Sequence, residues 1–222
     1  ELEALKRKYE EALSVSDVVG LVIGTRPDCM PDTLLHYLEE VNKNTFLLVE
    51  YGIESTHDAT LRRINRGHTF QDTVDAVERT VACGILTGGH VILGLPGETH
   101  EDLVAQAATL SRLPITTLKM HQLQLIRGTR MAHEYEQHPE DFHLFGVEEY
   151  IDLVIDYIEH LRPDLVLERF VSQSPKELLI APDCGLKNYA FNHRIQKKMR
   201  QLGAYQGKKY DMWEKKLIFA AV

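Results

Sequence analysis

Short apolar runs that end in glycine and acidic residues, each followed by a helical stretch, leave this chain few architectures. The densest case is Val49–Glu98. It holds Val49-Glu50-Tyr51-Gly52-Ile53-Glu54-Ser55, then Arg63-Ile64-Asn65-Arg66-Gly67-His68-Thr69, then His90-Val91-Ile92-Leu93-Gly94-Leu95-Pro96-Gly97-Glu98. Runs this apolar suit strands buried on both faces, as in a parallel sheet covered by helices. Polar groups then gather where strands stop, which is where α/β proteins carry their chemistry.

The alternation extends in both directions. Leu2, Leu5, Tyr9, Ala12 and Leu13 mark a helix over residues 1–13. Val18–Ile23 predicts a strand closed by Gly24-Thr25-Arg26-Pro27-Asp28-Cys29, and Pro31-Asp32 opens a helix to Asn42. Phe46–Ile53 predicts a second strand and Asp58–Ile64 a short helix; Thr69, with Asp72 after it, caps a helix to Cys83 that Gly84 stops. Val91–Leu95, Thr117–Ile126 and Leu165–Val171 predict further strands, with helices over Thr99–Leu113 and Phe145–Leu161. Parallel strands joined by right-handed crossovers follow. A partial or complete βα barrel fits better than an open sheet, because polar groups recur at the same end of successive strands. The expected division is a barrel over residues 1–172 and a helical, basic extension over 173–222.

A chain of 222 residues, 44% hydrophobic and 26% charged, can bury a full core. No apolar run approaches the roughly 18 residues a membrane span needs, and Glu1-Leu2-Glu3-Ala4-Leu5-Lys6 lacks a signal-peptide layout. A cytoplasmic protein without a membrane partner is expected. Cys29, Cys83 and Cys184 are far apart and odd in number, so they offer neither a disulfide framework nor a close-spaced metal motif. A net charge of −8 argues against a broadly basic surface. One segment departs from this: Lys187, Arg194, Lys197, Lys198, Arg200, Lys208 and Lys209 lie between Cys184 and Asp211 with no acid among them.

Glu54 lies just past the second strand, and Glu50, four residues earlier, shares its face by the strand period of two. A carboxylate there can accept both hydroxyls of a ribose, or simply stand in solvent. Arg66 offers a planar fork for a carboxylate or phosphate, whereas Arg62 and Arg63 read as surface charges. Gly94 and Gly97 free the backbone so that a flat ligand could approach it; a tight turn, with Glu98 favouring the next helix start, is the plainer reading. His90 is a ligand contact or a structural histidine. The eleven histidines form no His-Glu-x-x-His pair, and the chain has neither a nucleophile elbow nor a phosphate loop.

Taken together, Thr25-Arg26-Pro27-Asp28, Gly52-Ile53-Glu54-Ser55, Asn65-Arg66-Gly67-His68-Thr69 and His90-Val91-Ile92-Leu93-Gly94-Leu95-Pro96-Gly97-Glu98 resemble the radical S-adenosylmethionine enzymes, and among them the Elongator-like branch. The likeness is strongest over residues 15–130. It implies a partial (βα) barrel of the radical SAM type that holds S-adenosylmethionine and a [4Fe-4S] cluster at the strands' carboxyl ends, fed by an electron donor. In that likeness Glu54 meets the ribose, Arg66 the methionine carboxylate, and His90 lies near the nucleoside. The main chain around Ile92, Gly94 and Leu95 and around Leu123 and Leu125 packs on adenine. Thr25 and Arg26, at the first strand's exit, become candidate substrate contacts.

The resemblance implies reductive cleavage to a 5′-deoxyadenosyl radical that abstracts hydrogen from a substrate. The family's Cys-x-x-x-Cys-x-x-Cys motif and its Gly-Gly-Glu-type turn are not in the sequence. The expectation is therefore a C-terminal part of a larger protein, its first βα units lacking, with no metal ligands of its own and no activity alone; the cluster belongs to the complete protein. Three functions stay open: a radical enzyme on transfer RNA or another RNA, bound through Lys187–Lys209; one on a small metabolite or protein; and a cluster-less barrel serving as a binding module.

Overall fold

The computed structural model describes residues 2–183 and 185–210. Cys184 and the end of the extension, residues 211–222, lie outside the described residues, as does Glu1 of the first helix. Helix α1 (Leu2–Leu13) leads into strand β1 (Gly20–Thr25), a 3₁₀ turn over Pro27–Cys29 and helix α2 (Asp32–Asn42). Then come β2 (Phe46–Glu54), α3 (Asp58–Arg63), α4 (Phe70–Ala82), β3 (Leu86–Leu93), α5 (His100–Leu110) and β4 (Thr117–Gln122). The chain closes with β5 (Leu125–Ile126), α6 (Arg130–Gln137), α7 (Val147–His160), β6 (Val166–Arg169), β7 (Leu179–Ala181) and α8 (Asn188–Leu202).

Five strands form one sheet in the order β1-β2-β3-β4-β6, and every neighbouring pair is parallel. The architecture is the expected α/β partial barrel. Alternate residues of β2 show why it forms. Val49, Tyr51 and Ile53 are fully buried, with the Tyr51 hydroxyl 2.7 Å from Thr80 Oγ1 of α4. Glu50, Gly52 and Glu54 alternate with them and so project to the opposite face. Apolar side chains pack on the helical layer, and the face left over is polar.

Helix starts are where sequence and structure agree best. Thr69 and Thr99 each accept from the backbone three residues on, while Asp72 and Asp102 reach back to complete capping boxes. Strand limits agree less. β1 begins later than the apolar run: Val18 and Val19 are 40% and 81% exposed, and Asp17 turns the chain with φ 69°. β3 begins at Leu86, before Val91, because Gly88 and Gly89 are strand residues whose absent side chains leave room for neighbours. A Cβ on Gly89 would lie 2.8 Å from Ile53 Cδ1. The expected strand Thr117–Ile126 breaks at Leu123 and Gln124, after which β5 pairs antiparallel with β7. Helix α6, capped by Thr129, was not expected; its polar composition hides it.

The segment after β6 shares the core with the barrel. Phe191 and Ile195 of α8 are 0% and 1% exposed, and the Phe191 ring centroid is 5.5 Å from that of Tyr150 in α7. Its basic residues face the acidic side of α7: Lys198 lies 2.6 Å from Asp152, Lys209 2.6 Å from both Asp156 and Glu159. Arg194 pairs with Glu148 and Lys208 with Glu159. Lys187, Lys197 and Arg200 have no ion pair among the described residues. No helix there is long and apolar enough to cross a membrane.

Candidate cofactor site

Glu54 ends β2 in the left-handed region, with φ 63°, a backbone state that costs a non-glycine residue energy and clusters at functional sites. Its register with β3 slips at this point. The turn swings its carboxylate onto Arg66, at 3.0 Å, with the two side chains only 16% and 21% exposed. Arg66 also donates to the Gly52 carbonyl at 3.0 Å and to His68 Nε2 at 3.2 Å. The loop that delivers it turns through Asn65 and Gly67, both at positive φ. Gly52 is required between them: a Cβ there would run into the Arg66 guanidinium and sit 2.6 Å from Glu54 Oε1. Burial raises the Glu54 carboxyl above the usual range, and the Arg66 charge offsets this only in part.

A cavity of about 320 Å³ opens beside this pair. Glu54, His90, Ile92, His121, Leu123 and the polar group Gln122, Gln124, Ser172 and Ser174 line it. His90 Nε2 lies 3.2 Å from Glu50 Oε2, so a neutral ring donating there keeps Nδ1 as an acceptor. Burial holds His90 below the ordinary imidazole range, outweighing the pull of Glu50. Burial would raise Glu50, but its bonds to Lys119 and His90 outweigh that and hold it ionised. Lys119 reaches both Glu50 and, at 3.5 Å, Glu168. The His121 ring centroid is 5.6 Å from that of His90. Burial, with the neighbouring His90, Arg169 and Lys119 disfavouring a further positive charge, lowers His121 to about 4, so it is neutral at physiological pH.

The expected residues are thus partly assembled. Glu54, His90, Ile92 and Leu123 share the cavity wall, and Arg66 reaches it through Glu54. Leu95 and Leu125, 2% and 0% exposed, pack in a second apolar cluster with Phe142 and do not line the cavity. Gly94 has φ +91° and lets the Phe145 ring approach; a Cβ there would be 2.9 Å from Phe145 Cε2. Arg26 is engaged with Asp28 and half-exposed, and neither it nor Thr25 lines the cavity. Glu50, on the same strand face as Glu54, serves the Lys119–His90 network instead.

Three roles escaped the sequence. Glu98 is more than a helix-start acid: Ser55 Oγ donates to it, tying the loop after β2 to the turn after β3. Arg63, expected on the surface, sits 2.6 Å from Glu134 and 2.9 Å from Asp141, holding the unforeseen α6. Lys119 and His121 occupy inward alternate positions of β4, a period-two signal present in Thr117-Leu118-Lys119-Met120-His121-Gln122.

The comparisons with known proteins agree with this fold. Residues 1–108 match the family model for the radical SAM superfamily, and residues 115–201 that for a radical SAM C-terminal domain. The chain belongs to the radical SAM superfamily. It is 35% identical over 213 residues to the Bacillus subtilis protein YtqA, covering 96% of this chain and 66% of that protein. It is 23% identical over 209 residues to the tRNA uridine(34) acetyltransferase of Methanocaldococcus infernus, covering 90% and 38%. Among solved structures, M. infernus Elp3 with an N-terminal deletion superimposes with a TM-score of 0.73 at 20% identity, over 85% of this chain and 43% of that one. The chain thus spans about two thirds of YtqA, 66% of its length, and less of the acetyltransferase, 38%.

Radical SAM proteins use S-adenosylmethionine and a [4Fe-4S] cluster. The cavity fits the first: a charged pair at a strand end, a glycine whose Cβ would break that pair, and apolar Ile92 and Leu123 opposite. The cluster finds no donor set among the described residues. No three His, Cys, Asp or Glu side chains converge there, and Cys29 and Cys83 are free thiols.

Proposed function

We propose that this chain is the S-adenosylmethionine-binding half of an Elongator-like radical enzyme acting on transfer RNA. The observation that carries it is the half-buried Glu54–Arg66 pair facing a cavity walled by His90, His121, Ile92 and Leu123. Arg66 supplies a fork for the methionine carboxylate. Glu54 accepts from the ribose hydroxyls, and Ile92 and Leu123 offer the adenine an apolar wall. Neutral His90 accepts a hydrogen bond without adding positive charge beside a sulfonium, and neutral His121 likewise leaves the cavity free of a second cation. When bound, S-adenosylmethionine supplies radical chemistry, the removal of a hydrogen atom from a substrate. The RNA half of the reading is supported by the name of the acetyltransferase relative and by the unpaired cations Lys187, Lys197 and Arg200.

Titration calorimetry of the full-length protein tests the site. Glu54→Gln and Arg66→Gln each remove a charge-assisted interaction, a loss of about 1.5–3 kcal/mol, or roughly 10- to 100-fold in Kd for S-adenosylmethionine. Unchanged affinity in both variants refutes the assignment.

A further inference from the structure

We propose that a second cavity, between the exit of β4 and the segment running from Val171 into α8, is a pocket for one unstacked nucleotide. This rests on the RNA reading above and assigns that substrate a place. The cavity measures about 330 Å³, within the range of small-ligand pockets and too small for a duplex. It adjoins the cofactor cavity, because Gln122, Gln124, Ser172 and Ser174 line both. A group seated in it therefore borders the space before His121 and Glu54.

Its walls match a nucleobase edge. Gln124 Nε2 donates to the Ser172 carbonyl at 3.3 Å and Gln124 Oε1 accepts from Ser174 Oγ at 2.7 Å. Gln122 Nε2 donates to the Phe145 carbonyl at 2.9 Å and is 5% exposed. The Gln124 amide is thereby held in one orientation with a second Nε2 hydrogen left to donate to a base edge, the kind of contact by which proteins read single-stranded bases. Leu179 and Leu186 supply apolar contact for a base face.

The phosphate has partners too. Lys176 and Lys187 line the same cavity, and neither has an ion pair among the described residues, whereas Arg194, Lys198, Lys208 and Lys209 are committed to α7. α8 starts here with no side-chain cap on its first turn, which adds the positive end of a helix. Asp183 lines the cavity as well, its Oδ1 accepting from the Gly185 backbone N–H at 2.9 Å, so the two lysines leave the lining with an excess of one positive charge.

Fluorescence anisotropy tests the pocket in the full-length protein, using a labelled RNA stem-loop with an unpaired, uridine-containing loop and a fully paired duplex as reference. The stem-loop is expected to bind more tightly. Lys176→Glu with Lys187→Glu, both exposed and so neutral to the fold, should weaken it at least tenfold and flatten its salt dependence. Gln124→Leu should weaken the stem-loop several-fold and leave the duplex unchanged, and a 4-thiouridine in the loop should crosslink within residues 172–187. Equal affinity of all variants, no preference for the loop, no RNA binding, or crosslinks confined to residues 194–209 each overturn the proposal. Glu54→Gln separates the two readings: loss of S-adenosylmethionine affinity with RNA binding retained is expected. RNA held at the pocket by a wild-type protein that binds no S-adenosylmethionine would sink the cofactor reading alone.

Discussion

At the scale of single residues, the site depends on carboxylates whose ionisation the fold has moved. Glu54 titrates above the usual range because burial disfavours its charge. If its charged form receives the ribose, S-adenosylmethionine affinity should fall on acidification sooner than for an ordinary carboxylate and level off above the raised pKa. Calorimetry across pH reads this directly, and Glu54→Gln should bind weakly with that limb of the profile gone. Glu98 is raised by burial as well, with the Ser55 and Thr60 hydroxyls pulling the other way. A carboxyl raised in the folded state binds more protons than in the unfolded chain, so its contribution to stability is lost as pH rises through the folded pKa. Glu98→Gln keeps an oxygen for Ser55 and carries no charge. Its melting temperature should match wild type near pH 4 and exceed it at neutral pH; a constant difference across pH would contradict this.

Elements owe their limits to different causes. Helices α4 and α5 start where Thr-x-x-Asp capping boxes satisfy free backbone N–H groups, a purely local effect that the sequence displays. Thr99→Ala should therefore cost about 1 kcal/mol, seen as a lower denaturant midpoint with an unchanged slope; no change in midpoint would show the cap to be redundant. Strand limits are settled by neighbours. Gly88 and Gly89 look like strand breakers until Glu50, Ile53 and Thr117 are found beside them. β5 leaves the parallel sheet because Leu125 has a better burial site against Leu95 and Phe142, which no local propensity reveals.

Across the whole molecule, the acidic face of α7 and the basic face of α8 neutralise one another over a shared apolar seam. We propose that barrel and extension, divided at residue 172, unfold as one unit because Phe191 and Ile195 belong to the barrel's core cluster. Phe191→Ala removes a ring packed on Tyr150 and should cost about 3–5 kcal/mol. Its effect should appear in one cooperative transition shared by barrel and extension. Two separate transitions, with the barrel unaffected, would mean that the segments are independently stable.

Much of the fold was legible in the sequence. The strand–helix alternation and the parallel α/β layering follow from periodicity, since burial on both faces demands continuous apolar runs, whereas the choice of Glu54, Arg66 and His90 came from family likeness. Partners had to wait for the fold. Periodicity puts Lys119 and His121 on the inner face of β4, but only the sheet order brings β4 beside β3, so that Lys119 reaches Glu50 and His121 meets His90. Composition registers a basic tail, yet only packing divides it into cations paired with α7, Lys187 beside a cavity, and Lys197 and Arg200 without an ion pair among the described residues. Local free-energy terms are written in neighbouring residues; electrostatic pairing across a sheet depends on distances that the closed tertiary structure alone supplies.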